Sequence, residues 1–350
     1  MTSLFFHTGS SSFADKDELI LKKLGKVYVF SFTSTFKWLT PLIFLKQFIF
    51  IMKHLFKTNC YVSQFAGYHS FLPGIFSKLT GKPFIIISGG TDCVSFPSIR
   101  YGNFYKTVLG LFTKWSFQLS THLAPKHHSL WSCDYSYEKS DPNQQGIAAF
   151  VPQLNKPVTP IANGYDVNFW KSNVPKKEKS FLTVSGGFQY PFQVQLKGID
   201  LILSVAPLFP DCTFTIVGVP DWKKLAIKSS NIIILPPTKN SELLPLYSEA
   251  QFYMQLSMAE GFPNALCEAM LCNSIPIVSD VFSMPEIVGE SGFILKERDM
   301  DQLTQLIHQA LAKCSNELGK KAREQITSSY TIERRELALT ALLEKVILKV

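Results

Sequence analysis

The stretch Phe252-Tyr253-Met254-Gln255-Leu256-Ser257-Met258-Ala259-Glu260-Gly261-Phe262-Pro263-Asn264-Ala265-Leu266-Cys267-Glu268-Ala269-Met270 reads as a strand, a tight turn and a helix. Residues 252–256 form a short apolar run of the kind buried in a parallel sheet. Gly261 permits the turn, and Pro263 is predicted at the first helical position, where the missing N–H has no partner to lose. The amides around Phe262, Asn264 and Ala265 are then left without intrahelical partners, and such an end binds anions and polar oxygens. Glu260 stands at the helix mouth, and Glu268 lies about 7–8 Å deeper at about 1.5 Å per residue. That separation argues against two carboxylates working on one bond. It suits the two ends of an elongated, hydroxyl-rich ligand with a charged middle held over the amides.

The same alternation extends outward. Runs at 26–30, 60–63 and 83–87, then at 181–184, 213–217, 232–235 and 275–278, read as buried strands. Helices are predicted over 197–209, 241–250 and 263–271, and the chain is helical beyond Asp299. The fold class is α/β, with two Rossmann-like domains facing across a cleft that is the default place for a small ligand. The first domain spans 1–171, the second 172–330, and 331–350 is a helix returning toward the first. The polar stretch 171–179 marks the boundary.

Composition narrows the classes. Of 350 residues, 46% are hydrophobic and 18% charged, which excludes a disordered chain. No run of about 18 apolar residues marks a membrane-spanning helix, and the N-terminus lacks the basic start of a secretory signal. Seven dispersed cysteines without a Cys-x-x-Cys pair fit a reducing cytoplasm and neither a disulfide framework nor a zinc site. The adjacent His127 and His128 lack the spacing of a helical metal pair, so no metal is expected. The net charge of +8 resides in the first half: residues 1–171 hold 17 Lys/Arg against 8 Asp/Glu. Sixteen of those cations are lysines, which lack the bidentate fork that reads bases, so nucleic acid is a poor partner and an anionic membrane surface a better one. Within 36–57, Lys46, Lys53 and Lys57 fall within about 40° of one another on a helix otherwise rich in Leu, Ile, Phe and Met. That pattern fits an interfacial membrane helix, and equally a core helix whose lysines reach water at one edge.

Seven stretches in register give a family resemblance. Glu260 and Glu268 match the E-x(7)-E signature of retaining glycosyltransferases of family four, which have the two-Rossmann-domain GT-B fold. Leu196-Lys197-Gly198-Ile199-Asp200, Phe214-Thr215-Ile216-Val217-Gly218 and Leu244-Pro245-Leu246-Tyr247-Ser248-Glu249-Ala250 resemble family segments in order. So do Pro276-Ile277-Val278-Ser279-Asp280 with Met284-Pro285-Glu286-Ile287-Val288, and Pro160-Ile161-Ala162-Asn163-Gly164-Tyr165-Asp166. The resemblance is dense from about 160 to 295 and thin before it. It implies a metal-independent hexosyltransferase with no cofactor beyond a nucleotide-diphosphate sugar as co-substrate, and a glycan or lipid-linked acceptor. Bacterial cell-envelope polysaccharide assembly, in the cytoplasm or on the inner membrane face, is the implied setting. Glu260 would contact donor-sugar hydroxyls, and Gly261, Phe262, Pro263, Asn264 and Ala265 would flank sugar and diphosphate. Glu268 would accept from the ribose, and Lys197 would neutralise the diphosphate.

The chain departs from the family in two places. No arginine follows the strand at 181–184; Gly186 and Gly187 there would let backbone amides approach phosphate instead. In the first domain, Ser88-Gly89-Gly90-Thr91-Asp92 stands where many members have a histidine. Asp92 fits either a sugar hydroxyl or a turn cap, His69 either the cleft or the interior, and Gly9 a loop opening onto the cleft. These departures motivate the alternative of a degenerate transferase kept as a glycan-binding or scaffold protein.

Overall fold

A computed structural model gives the fold and describes residues 1–9, 12–33, 36–172, 174–186, 192–220, 227 and 229–347. The chain divides into two compact units. One comprises Met1–Asp134, Gln144–Asn163 and Glu333–Val350; the other comprises Tyr135–Asn143 and Gly164–Ile332. The change of unit thus comes directly after Asn163 rather than in the polar stretch 171–179, part of which is strand.

In the first unit, β1 (Thr2–His7), β2 (Lys26–Ser31), β3 (Cys60–Gln64), β4 (Phe84–Ile87) and β5 (His122–Leu123) form a parallel sheet in the order β2-β1-β3-β4-β5. Helices α1 (Ser12–Leu24), α2 (Thr40–His54), α3 (Tyr68–Thr80) and α4 (Thr107–Leu119) connect these strands. The sequence reading lacks β1 and α1, because it takes the first residues only for their want of a leader. A two-residue ribbon of β6 (Cys133–Asp134) and β7 (Gln144–Gln145) leads into α5 (Ile147–Phe150). The core joins Phe5, Val62 and Ile85 to Leu339, Leu342 and Leu343 of the C-terminal helix, Ile332–Ile347. That helix is pinned by Arg335, which is 3% exposed and grips both carboxylate oxygens of Asp17 at 2.8 and 2.7 Å. Its guanidinium also donates to the carbonyls of Ile161 and Ala162. A buried cation needs such full pairing, and the planar fork supplies it.

The second unit is a six-stranded sheet of β8 (Lys177–Val184), β9 (Thr213–Val217), β10 (Ile232–Leu235), β11 (Ala250–Gln255), β12 (Ile275–Ser279) and β13 (Phe293–Leu295). All pairs are parallel and the order is β10-β9-β8-β11-β12-β13. Phe181 stacks between Phe214 and Phe252, with centroids 4.8 and 4.7 Å away, at the middle of the sheet. The strand order reverses between β8 and β11, and ligands of open parallel sheets sit beyond the strand ends at such a switch. The helix expected over 197–209 starts only at Ile199, as α7 (Ile199–Val205), and passes into a 3-10 turn, while a short α6 (Phe192–Leu196) that the sequence reading lacks comes before it. Gly198 makes the break, with φ of +66°. Farther on come α8 (Asn240–Glu249), α9 (Asn264–Leu271), α10 (Met284–Val288), α11 (Met300–Lys313) and α12 (Asn316–Ser329). No described helix is long and apolar enough to cross a membrane.

Candidate functional site at the switch point of the second unit

Along β11 and just past it, Tyr253, Gln255 and Ser257 alternate onto one face, and all three are buried. The Tyr253 hydroxyl donates to Gln255 Oε1 at 3.0 Å, and Gln255 Nε2 donates to Ser257 Oγ at 2.9 Å. Gln255 Nε2 also reaches Glu260 Oε1 at 2.9 Å, and Ser257 Oγ donates to the same oxygen at 2.8 Å. The turn therefore folds Glu260 back over the end of its own strand.

Lys197 arrives from the other side of the switch. Gly198 packs so tightly against β11 that an added Cβ would lie 2.1 Å from the Leu256 carbonyl oxygen. The Met258 amide donates to the Leu196 carbonyl at 2.8 Å, which fixes the corner. Lys197 Nζ then donates to Glu260 Oε1 at 2.6 Å, the two side chains being 25% and 13% exposed. Three donors, one cationic, thus converge on one carboxylate oxygen at the mouth of α9. Nearby, Asp200 of α7 is held by an ion pair from Arg298.

Pro263 is the cap residue, with extended ψ of 110°, and the helix begins at Asn264, one residue later than predicted. Gly261 supplies the turn before it. Tyr165 donates to Asn264 Oδ1 at 3.0 Å, and its ring stacks on Phe262, which meets Tyr330 edge-on. Asn264 and Phe262 are thereby positioned, and the amides of Asn264 and Ala265 open the helix. Glu268 lies in the second turn, 9% exposed, and accepts from the Tyr247 hydroxyl at 3.3 Å. Burial first, and then the Glu268 charge, push the Tyr247 phenol well above its ordinary value, so it stays a donor. Of the two glycines after β8, Gly186 has open space where a side chain would be, and Gly187 lies outside the described residues.

Residues 181–313 match the family model of glycosyl transferases group 1. The matched segment holds Lys197, Glu260 and Glu268. A stretch of 72 residues is 35% identical to O-antigen chain mannosyltransferase B of Escherichia coli, covering 21% of this chain and 19% of that protein. The matched part thus spans about a fifth of that relative's length. Among solved structures, sucrose-phosphate synthase from Thermosynechococcus elongatus superposes with a TM-score of 0.75 at 14% identity, over 100% of both chains. Anabaena HepE, solved in complex with UDP-glucose, superposes at 0.68 and 13% identity, over 99% of this chain and 100% of its own. These likenesses bear out the fold, the GT-B pairing of Rossmann-like units read from the sequence.

The first-unit candidates lie outside the matched segment and, apart from Gly9, point inward. Asp92 is fully buried and accepts from the amides of Ala66, Gly89 and Gly90 at 3.0, 3.1 and 3.1 Å. It staples the loop after β3 to the loop after β4, which is the turn-cap alternative rather than a sugar contact. His69, 2% exposed in the first turn of α3, donates from Nε2 to the Gln64 carbonyl at 2.7 Å. Burial lowers its ionisation to about 4, so it is a neutral interior ring. Gly9, at φ of +142° after β1, sits against His7 Nδ1, which lies 2.8 Å from the Gly9 carbonyl oxygen and 3.1 Å from its amide nitrogen and bonds one or the other according to its tautomer.

The sequence reading missed Tyr253, Gln255, Ser257 and Tyr165. A signal for the first three was present: polar residues at i, i+2 and i+4 running off the end of an otherwise apolar parallel strand. Tyr165 had none, because its partner is 99 residues away.

Proposed function

We propose that this protein transfers a hexose, with retention of anomeric configuration, from a nucleotide-diphosphate sugar to a hydroxyl of a glycan or lipid-linked acceptor in polysaccharide assembly. The observation that carries the reading is the 2.6 Å contact of Lys197 with Glu260 at the mouth of α9. It joins one fixed cation, one fixed anion and a helix N-terminus at a switch point. The helix N-terminus at Asn264 and Ala265 and the Lys197 ammonium suit a diphosphate, Glu260 suits sugar hydroxyls beside it, and Glu268, a turn deeper, suits a ribose.

During transfer the bond from the anomeric carbon to the diphosphate oxygen breaks and its electron pair stays on the diphosphate. The acceptor oxygen bonds to that carbon on the same face, and its proton passes to a diphosphate oxygen. Lys197 and the helix dipole face the charge that builds on the leaving group, which is the work a divalent metal does elsewhere. Nucleotide sugars with different bases and hexoses, screened by thermal stabilisation and then by release of nucleoside diphosphate, test this. Turnover that survives EDTA and falls in Glu260→Gln and Lys197→Met is expected. A protein that binds glycans but turns over no donor would instead be the non-catalytic alternative.

A further inference from the structure

Helix α2 is apolar on both faces. Ile43, Gln47 and Ile51 are its buried residues. The opposite face carries Leu42, Leu45, Ile49 and Met52, each about half exposed, and continues through Phe56 at 95% and back to Trp38 at 75%. A helix lying on a globular unit ordinarily turns charged residues to water there. Helix α4 adds Val108, Leu111 and Trp115, all exposed, and its Phe112 ring meets Phe44 of α2 at 5.8 Å. Between the two helices lies an open groove of about 990 Å³ lined by Pro41, Phe44, Tyr68, Val108 and Phe112. So large a contiguous apolar surface marks a docking site.

Charge says what docks. Lys46 and Lys53 are exposed on α2 beside the apolar face, and Lys57 is exposed in the turn just past the helix end. From Leu19 to Cys133 the chain has 13 Lys/Arg and one acid, Asp92, which is buried. A second copy of this face would bring lysines toward lysines with no acid to meet them. A surface of anionic headgroups over hydrocarbon matches both features at once, with the lysines at headgroup level and Trp38 at the boundary.

We propose that the outward face of α2, with the start of α4, is a bilayer-embedding surface that holds the first unit on an anionic membrane, α2 lying in the interface plane. This deepens the acceptor part of the proposed function, which it rests on for why a membrane is there; the observations themselves belong to the first unit alone.

The test is flotation of the full chain with vesicles of phosphatidylcholine, with and without about 30% phosphatidylglycerol, at low and high salt. Wild type is expected to float with the anionic vesicles, less at high salt, and at least about tenfold less with the neutral ones. Leu45→Glu/Ile49→Glu is expected to abolish flotation. Lys46→Gln/Lys53→Gln/Lys57→Gln should weaken it about a hundredfold, at about fivefold per lysine. Circular dichroism and melting temperature check that both variants fold; these side chains face water, so unfolding is not expected. No flotation of wild type, or variants that float like wild type, overturns the proposal. So does a wild-type dimer that fails to float and that Leu45→Glu/Ile49→Glu turns monomeric. Donor hydrolysis is measured separately: a protein that floats but turns over no nucleotide sugar loses the transferase reading and keeps this one, and the reverse drops this one alone.

Discussion

Replacing Lys197 by Met keeps the aliphatic stem and removes the ammonium, so it asks directly what the cation contributes. In the folded protein Glu260 Oε1 would still accept from Gln255 at 2.9 Å and Ser257 at 2.8 Å. The carboxylate is therefore not stranded, and the pair is partly open to solvent, which moderates the loss. Folding stability should fall by about 1–2 kcal/mol, between the values for exposed and buried ion pairs. That is about 3–6 °C in melting temperature for a unit of this size. Transfer should suffer far more: a preorganised charge facing a developing anion is worth about 3–4 kcal/mol, or about 100–1,000-fold in kcat. The assay is release of nucleoside diphosphate at saturating donor, alongside a thermal melt. Ser257→Ala is the control, because it removes a donor to the same oxygen at about 1 kcal/mol without touching the cation, and should cost less than about tenfold in kcat. Equal kcat losses in the two variants would mean that a loosened Glu260 explains everything. Lys197→Met within about threefold of wild type would refute the role outright.

Three further outcomes follow from the geometry. Gly198→Ala forces a side chain into a left-handed residue whose Cβ would sit 2.1 Å from a carbonyl oxygen, so a loss of about 3 kcal/mol or more and a collapse of activity are expected; a melt within 2–3 °C of wild type would show that the corner yields. Tyr247→Phe takes from Glu268 its 3.3 Å donor and should raise the donor KM about three- to tenfold with kcat nearly unchanged, whereas a kcat effect alone would remove Glu268 from nucleotide binding. His69 is held at about 4, against 6.5 when unfolded. Between those values the unfolded chain binds the proton and the folded chain does not. Stability is therefore full above about pH 6.5 and declines by about 3 kcal/mol as pH falls toward 4. Denaturant melts across that window should show the slope in wild type and a flatter one in His69→Gln; parallel curves would assign the acid sensitivity elsewhere.

Much of the second unit is legible in the residue order because its determinants are local. A strand that must be buried on both faces is a run of apolar residues, as at 213–217 and 232–235, and a helix mouth announces itself by Gly261 and Pro263. The edges are less legible. Residues 177–180 look like linker because the exposed end of β8 is polar, and β13, at three residues, carries too little pattern to register. The break at Gly198 is hidden as well, since Lys197 and Gly198 read as the first turn of a helix until the neighbouring carbonyl of Leu256 is in view.

The amino-acid order alone determined the α/β class and the helix that carries Glu260 and Glu268, since each depends on contacts a few residues apart; Lys197 was singled out only by the family resemblance. Tertiary structure decided that Lys197 and Glu260, 63 positions apart, hold each other at 2.6 Å, and that Asp92 and His69 serve the interior. It also decided that the apolar residues of α2 face outward as well as inward. Periodicity tells which residues share a side of a helix, but only the neighbours that pack, or fail to pack, against that side decide whether it meets protein or solvent.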